Sequence, residues 1–246
     1  MSVLQRWIFG WFGRTLLALI VSSLWLAVIG WWLQALLNQP VNRVEIHGKL
    51  AYASTPVLQA RMQPLFTNGF ISLDLHHLRD ALLADPWIAQ VRIRRQWPST
   101  LYVELEERQP FAYWNQEGFL DQNGALFHPQ QPLPQLDLPK LSGPPDQYAE
   151  VFAFYKNLSE ALAQQTHAEL IKVSALELSQ RGAWHFVLND SVSILLGRDR
   201  IDARLLRFLY YWQHMFAQRW QEVTRIDLRY PNGFAVAWKS AQSNGS

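Results

Sequence analysis

The sequence predicts an α+β protein that begins with one membrane-spanning helix and continues into two folded modules. Three observations support this prediction. No charged residue occurs between Arg14 and Arg43, so a long stretch of the N-terminal region is apolar. Farther along, apolar and polar residues alternate in short runs with the period of β-strands, and helical periods separate some of these runs. Turn signals such as Asn123-Gly124 lie between them.

The composition excludes several classes of chemistry. The chain has 246 residues, 49% of them hydrophobic, which is enough for packed cores beside a membrane span. It contains no cysteine, so disulfides, thiolate metal sites and cysteine nucleophiles are excluded. Its formal net charge of +2 gives no strong field for nucleic acid. Common catalytic and nucleotide-binding motifs are missing, so the sequence predicts no catalytic residue, metal, cofactor or small-molecule substrate.

The segment from residue 15 to 37 has the length and polarity of a membrane-spanning helix. At about 1.5 Å per residue it reaches roughly 34 Å, against a hydrocarbon core of about 30 Å. A buried core helix of this length would carry a polar face, and a signal peptide would have a shorter apolar stretch and a small-residue cleavage site. The segment shows neither feature, so we expect an uncleaved anchor.

Positive charge before the span predicts its orientation. Arg6 and Arg14 precede the span and no acidic residue does. The positive-inside rule then places residues 1–14 in the cytoplasm as a short tail. The remainder is expected on the opposite side, which is the periplasm in a two-membrane bacterium.

The first module, residues 41–110, is predicted to have the element order β-α-α-β-β. Alternation marks each strand. Pro56 stands at the first position of one helix, and Asp74 can cap the second. The predicted strands cover residues 41–47, 88–97 and 100–107, the last two joined at Pro98-Ser99.

The second module, residues 111–240, is predicted to be a mixed β-domain with two helices and a C-terminal hairpin. Residues 128–146 hold six of the 13 prolines and are interpreted as a connecting loop. The last six residues, 241–246, are predicted to be disordered. Helices are expected at about 147–165 and 199–220, and strands at about 111–114, 119–127, 171–178, 183–189, 191–197, 223–230 and 234–239.

Several stretches resemble one known family. Residues 44–48, Val-Glu-Ile-His-Gly, are similar to the V-x-I-x-G opening of a POTRA module. Residues 86–101 resemble the P-W-V/I-x-x-V-x-V-x-[RK]-x-W-P-x-x-L pattern of the FtsQ/DivIB cell-division family, and residues 107–112 continue it. The second module is similar to that family's β-domain at residues 196–198 and 225–230, with Gly233 and Trp238.

The resemblance implies a function as well as a fold. Such a chain would be a non-enzymatic scaffold of the division septum, held in the inner membrane, that helps control septal peptidoglycan synthesis. Its expected partners are FtsB- and FtsL-type coiled-coil proteins and other divisome components. The residues alone leave one alternative open, a POTRA-bearing periplasmic chaperone or translocation component that binds extended client peptides.

The final hairpin is the predicted partner site. A C-terminal strand is often the edge of a sheet, where an extended partner segment can add itself. Alternation places Ile226, Leu228 and Tyr230 on one face. On the residues alone, core packing is the simpler interpretation of Tyr230 and Trp238, whereas the resemblance implies that they contact the partner. The implied contact residues are Arg181, Arg229, Tyr230, Asn232, Gly233, Phe234 and Trp238.

The first module carries a second, smaller set of candidates. Arg92, Arg94 and Arg95 form a basic run on its middle strand. A solvated face with some attraction for anionic lipid is one interpretation. The resemblance implies instead that this module recruits other division proteins, and Gln90, Ile93 and Arg95 are the residues predicted to do so.

Overall fold

The computed structural model describes residues 3–37, 40–67, 69–130 and 133–239. The chain divides into two compact units, Met1–Glu107 and Arg108–Ser246. Each unit has a hydrophobic core of its own. The predicted disordered tail, residues 241–246, lies outside the described residues.

The first unit opens with helix α1, Val3–Leu37, which begins well before the predicted span. Its apolar side chains between Leu16 and Trp32 are exposed; Leu17 is 65% exposed and Trp31 is 71% exposed. Within the part of the chain that the structure describes, no helix combines the length and the apolar character needed to cross a membrane. The predicted membrane span is therefore not confirmed.

The rest of the first unit has the predicted order β-α-α-β-β. Asp74 caps the second helix of this group, because its carboxylate accepts hydrogen bonds from the backbone N–H groups of His76 and His77 at 2.8 and 3.2 Å. The hydrogen bonds from the backbone N–H groups of His77 and His76 favour the ionised carboxylate, so the pKa of Asp74 is lowered. The elements are β1 Arg43–His47, α2 Thr55–Met62 with a 3-10 turn Gln63–Thr67, α3 Leu75–Leu83, β2 Ile88–Gln96 and β3 Thr100–Glu107.

The three strands form one sheet in the order β1-β3-β2. Strand β1 runs parallel to β3, and β2 runs antiparallel to it. Leu58 of α2 and Leu78 of α3 are fully buried in the same core as Leu101 and Val103 of β3. The sheet is thus covered by its two helices on one face, and β2 forms one of its edges.

The second unit is organised around a long mixed sheet. Among the described residues it has nine strands, in the order β12-β11-β10-β9-β8-β7-β4-β5-β6. The strands are β4 Pro110–Trp114, β5 Gly118–Asp121, β6 Leu126–Phe127, β7 Lys140–Ser142, β8 Val173–Leu178, β9 Trp184–Leu188, β10 Val192–Gly197, β11 Val223–Asp227 and β12 Ala235–Trp238.

Two helices pack against this sheet. Helix α4, Tyr148–Ala163, has the buried face predicted from its apolar spacing. Helix α5, Ile201–Tyr211, is shorter than predicted, because the chain continues as a π-helical turn and then a 3-10 segment up to Glu222. Phe208 of α5 packs edge-on against Phe186 of β9, with ring centroids 5.9 Å apart. The core of the unit lies between these helices and the sheet.

The prediction that residues 128–146 are only a loop was wrong. Strand β7 lies within this stretch and pairs in parallel with both β4 and β8. Leu141, at its centre, is buried. Three residues between prolines are too few to show a period, so the pairing of distant strands decides this element. The Asn123-Gly124 turn signal, in contrast, is confirmed between β5 and β6.

Candidate functional site

Strand β12 lies at the edge of the nine-stranded sheet and pairs with β11. The prediction that the C-terminal strand is an edge is therefore confirmed. The N–H of Lys239 donates to the Glu222 carbonyl at 2.7 Å. Glu222 and Lys239 directly flank the paired residues Val223 and Trp238. That arrangement makes Val223–Trp238 a non-hydrogen-bonded pair. The backbone groups of Trp238, and by alternation those of Val236, point away from β11.

The two faces of β12 differ as the alternation predicts. Phe234, just before the strand, packs on Tyr211 and Phe216 with ring centroids 4.7 and 5.4 Å apart. Val236 lies opposite Ile226 and packs against the core of the unit. Core contacts therefore hold the strand on one face, and no strand of the described residues pairs with its outer edge, which is called the free edge below.

Trp238 differs from a core tryptophan. Its side chain is 38% exposed, and the guanidinium carbon of Arg219 lies 4.5 Å from its ring centroid. Arg219 is held in turn by Glu222, with Nε donating to Oε2 at 3.0 Å. This hydrogen bond raises the pKa of Arg219. The indole is thus oriented by a cation on one side and remains available on the other.

Tyr230 does not lie on the buried face with Ile226 and Leu228, so that part of the prediction was wrong. Strand β11 ends at Asp227 instead of Tyr230. The N–H of Leu228 still donates to the Leu195 carbonyl at 2.9 Å, and the chain then leaves the sheet. Beyond this point alternation no longer applies, and the Tyr230 side chain is 55% exposed.

The connection between β11 and β12 spans residues 228–234 and is held by an arginine from α5. Arg207 Nη1 donates to the carbonyls of Tyr230 and Gly233 at 3.1 and 2.9 Å, and its Nη2 donates to the Pro231 carbonyl at 3.0 Å. Asn232 is exposed within the same connection. Three bonds to carbonyls of this one loop fix the backbone that carries Tyr230.

A second arginine of α5 supports the same region from inside. Arg204 is only 8% exposed. Its Nη1 donates to the Leu196 carbonyl at 2.6 Å and its Nη2 to the Arg229 carbonyl at 2.9 Å. Sequence reasoning missed both arginines. Their spacing of three on one helix was the available signal, since residues at i and i+3 lie on neighbouring positions of a helix surface.

Gly197 makes room for this arrangement. Its φ of +78° lies in the left-handed region that favours glycine. A Cβ built there would lie 2.8 Å from Nη1 of Arg204 and 3.1 Å from Cγ of Arg229. The glycine within Leu196-Gly197-Arg198 is therefore required by the close approach of two arginine side chains.

Arg229, a predicted contact residue, forms an ion pair inside the protein. Its Nε donates to Asp227 Oδ1 at 2.8 Å and its Nη2 to Oδ2 at 2.6 Å. Asp227 is buried, and the Arg229 guanidinium holds the pKa of that carboxyl below its usual range. The same pair raises the pKa of Arg229. The side chain of Arg229 nevertheless remains 55% exposed, so it can still reach a partner.

Replacing Asp227 with asparagine is expected to reduce stability in a pH-dependent way. A carboxyl whose pKa is lowered by folding contributes stability above its unfolded pKa, and that stability is lost as the pH falls through the folded pKa. At neutral pH we expect Asp227→Asn to lower the free energy of unfolding by about 1 to 2 kcal/mol. Thermal unfolding measured from about pH 7 to pH 2 should show a shallower acid slope for the variant. An unchanged slope would contradict the assignment.

Arg181 lies in the turn between β8 and β9 and is exposed. The strand registers pair Leu178 with Trp184, Trp184 with Gly197, and Leu195 with Asp227. The turn is therefore at the same end of the sheet as the β11–β12 connection. At about 4.8 Å per strand, the two lie roughly 10 to 15 Å apart along the sheet. The structure thus places Arg181 on the same surface as Tyr230 without bringing the two residues into contact.

The predicted residues of the first unit lie on its edge strand β2. Gln90 is exposed, and Ile93 packs partly against the core. Arg95 donates to the carbonyls of Phe70 and Leu73, at 3.0 and 2.6 Å, and to that of Ile71. Its hydrogen bonds therefore hold the segment before α3. Partner contact by these residues stays a prediction.

The described residues contain no cluster of three or more His, Asp or Glu side chains that could hold a metal ion. The arrangement at β12 instead offers free backbone groups, two half-exposed aromatic side chains and arginines. Tyrosine, tryptophan and arginine are enriched among the residues that dominate protein–protein binding energy. The site is suited to bind an extended polypeptide.

Comparison with protein-family models gives two adjacent matches. A model described as POTRA domain, FtsQ-type, matches residues 39–108. A second, described as Cell division protein FtsQ/DivIB, C-terminal, matches residues 112–229. The second match ends just before Tyr230.

Comparison with curated proteins gives relatives along most of the chain. A protein of Shewanella oneidensis named Cell division protein FtsQ is 34% identical over 238 residues, which is 95% of this chain and 88% of that protein. A protein of the same name from Coxiella burnetii is 35% identical over 78% of this chain and 79% of its own length. Another, from Aliivibrio fischeri, is 33% identical over 93% of this chain and 88% of its own length.

Proposed function

The chain belongs to the FtsQ/DivIB family of cell-division proteins, and from that premise we propose that it is a non-enzymatic scaffold of the division septum. In this proposal it binds FtsB- and FtsL-type coiled-coil proteins, and other divisome components, through surfaces of its two units. By gathering these partners it helps control septal peptidoglycan synthesis. In this role the protein binds other proteins and brings them together.

The single observation that supports this function best is the free edge of β12. The outward backbone groups of Val236 and Trp238 are donors and acceptors that an extended partner segment can pair with. Tyr230 and Trp238 supply large, half-exposed side chains next to that edge. Main-chain pairing would provide affinity, and the two aromatic residues would provide selectivity.

We also propose that the protein is a single-pass inner-membrane protein. The support comes from the uncharged stretch between Arg14 and Arg43 and from the positive residues that precede it. Residues 15–37 would span the membrane, residues 1–14 would lie in the cytoplasm, and both folded modules would lie in the periplasm. Confinement to one membrane would raise the effective concentration of the partners at the septum.

The POTRA module, residues 41–110, would provide a second contact through its edge strand β2. Gln90 and Ile93 lie on that strand, where a partner can reach the backbone. Arg95 would contribute by holding the Phe70–Leu73 segment as well as by its own exposed surface. Because the relatives are cell-division proteins, we do not propose the alternative of a chaperone or translocation component.

The variants Tyr230→Ala and Trp238→Ala are each expected to abolish partner capture while leaving the protein folded. Both side chains are half-exposed, so their loss removes little core packing. Losing a central aromatic anchor typically costs about 2 kcal/mol or more of binding, or at least a thirtyfold loss of affinity. The measurement is co-purification of the full-length chain, in detergent, with the FtsB-type protein encoded in the same genome.

Tyr210→Ala is the matched control for these two variants. Tyr210 is 59% exposed, lies on α5 and is not one of the predicted contact residues. Its replacement should leave capture unchanged. Unchanged yield of the partner with either edge variant would contradict the proposed function.

A further inference from the structure

The tip of the β2–β3 hairpin carries an exposed tryptophan that the proposed function does not use. Trp97 directly follows the last residue of β2, and its side chain is 59% exposed. Its ring packs edge-on against the buried Phe70, with centroids 5.5 Å apart. Ile71, the residue after Phe70, is 41% exposed. Exposed apolar side chains that lie together mark contact sites for protein or membrane, and these two are called the Trp97–Ile71 patch below.

Hydrogen bonds hold the backbone of this patch in place. Arg95, at the end of β2, donates to the carbonyls of Phe70, Ile71 and Leu73 at 3.0, 3.1 and 2.6 Å. These bonds join the segment before α3 to the strand end that carries Trp97. The patch is therefore part of the folded first unit.

The two segments that form the patch contain no charged residue. Residues 69–73 and 96–100 have only apolar and uncharged polar side chains. The charged residues that adjoin them, Asp74 and Arg95, are both hydrogen bonded within the unit. The patch can thus leave water without burying an unpaired charge, which would be costly.

The patch lies close to the point where the first unit joins the proposed membrane span. The N–H of Asn42 donates to the Ser99 carbonyl at 3.0 Å, and its Nδ2 donates to Ser99 Oγ at 3.1 Å. Five residue steps separate Asn42 from the end of the proposed span at Leu37, and an extended chain covers at most roughly 18 Å in five steps. The head-group region adds about 5 to 7 Å on each side of the hydrocarbon core. The hairpin tip is therefore within reach of the lipid head groups.

We propose that the Trp97–Ile71 patch binds the lipid head-group region of the membrane that anchors the chain, and so fixes the orientation of the first unit on the bilayer. This inference rests on the proposed single-pass anchor and adds a second contact between the chain and the lipid. Tryptophan favours this region because its ring is apolar and its N–H is a hydrogen-bond donor. The anchor keeps the patch at a high effective concentration near the membrane, so a contact made by two side chains is populated.

The test measures how close the hairpin tip lies to the lipid. The full-length chain is reconstituted in nanodiscs of phosphatidylethanolamine and phosphatidylglycerol in which part of the lipid carries a nitroxide quencher on the head group. Because the chain has no cysteine, Gln96→Cys allows a fluorophore to be attached at one exposed position beside Trp97.

Ala84→Cys provides the control position. Ala84 is exposed and precedes β2, whereas Gln96 ends it. Eight residue steps along a strand cover roughly 26 Å, so we expect the label at Gln96→Cys to be quenched at least about threefold more than the label at Ala84→Cys.

Variants of the patch separate binding of the patch from simple proximity through the anchor. In the chain labelled at Gln96→Cys, Trp97→Ala should lower the ratio of bound to unbound patch by about tenfold, because it removes a large exposed apolar surface. Ile71→Ser should lower that ratio by about threefold. Trp97→Tyr keeps an aromatic ring with a polar end and should stay within about threefold of the unsubstituted patch. Thermal unfolding checks folding, and Ile71→Ser decides the test if Trp97→Ala does not fold.

Each remaining outcome counts against the inference. Equal quenching of the two labels, or quenching that Ile71→Ser and a folded Trp97→Ala leave unchanged, would overturn it. Loss of partner capture by Trp97→Ala with unchanged quenching would show that the patch binds protein instead. If the chain stays with the nanodiscs while the label at Gln96→Cys is not quenched, the inference fails and the proposed anchor stands. If the chain does not stay with the nanodiscs, both fail.

Discussion

Replacing Arg204 with methionine is expected to lower the free energy of unfolding by about 3 kcal/mol. Arg204 is buried, and its guanidinium donates to the carbonyls of Leu196 and Arg229. Methionine fills similar space but donates nothing, so the buried bond to the Leu196 carbonyl and the partly buried bond to the Arg229 carbonyl are both lost. Hydrogen bonds from charged donors contribute about 1.5 to 3 kcal/mol each, and leaving buried acceptors unsatisfied adds a desolvation penalty. Chemical denaturation of the full-length chain in detergent would measure the loss.

Arg207→Met is the matched control for Arg204→Met. Arg207 lies one helical turn farther along α5 and binds three carbonyls, but its guanidinium and the connection are partly exposed. Water can replace its hydrogen bonds, so we expect a stability loss of about 1 kcal/mol. Its effect should fall on partner capture instead, since it holds the backbone of Tyr230. Equal stability losses for the two variants would contradict the distinction between a buried and a partly exposed arginine.

The second large effect is expected at the backbone of β12. Val236→Pro should weaken partner capture by at least about tenfold, because proline has no N–H and the N–H of Val236 points away from β11. The ladder between β11 and β12 keeps its hydrogen bonds, and proline is tolerated on an edge strand when its missing donor faces outward. The protein should remain folded while losing a main-chain donor for the added strand.

Val236→Ala separates the backbone effect from the side chain. It removes part of the same side chain and keeps the N–H, so capture should fall by less than about threefold. The measurement is the affinity of the full-length chain for the FtsB-type partner, with thermal unfolding as the check on folding. Comparable losses for alanine and proline would show that the side chain, not the free edge, carries the binding.

The order of helices and strands in the first module could be predicted because the sequence features that mark these elements are local. The alternating run at residues 43–47, Pro56 at a helix start and Asp74 at a cap each act within a few residues, and the structure has the elements there. The edge position of β12 was also predictable, since the C-terminal strand of a chain often forms the edge of its sheet. The alternation of apolar and polar residues could not predict where β11 ends. Leu228 still forms a hydrogen bond with the sheet, but the chain has left the sheet at Tyr230.

The parts that could not be predicted depend on residues far apart in the chain. Strand β7 is defined by pairing with β4 and β8, and three residues between prolines carry no period of their own. Arg95 binds carbonyls more than twenty positions earlier in the sequence, and Arg207 binds carbonyls more than twenty positions later. The periodicity of a sequence predicts which face of its element a side chain lies on. It does not predict which backbone carbonyls that side chain will bind.

The sequence by itself therefore determined the two-module α+β organisation, the family and the C-terminal hairpin, because alternation, caps and turn residues act locally along the chain. The tertiary structure alone decided where the first strand of that hairpin ends and which of its side chains are exposed. It ended β11 at Asp227, exposed Tyr230, and placed Arg204 and Arg207 under the connection. The physical reason is that backbone carbonyls released from a sheet need new donors. Only the folded chain brings the arginines of α5 close enough to provide them.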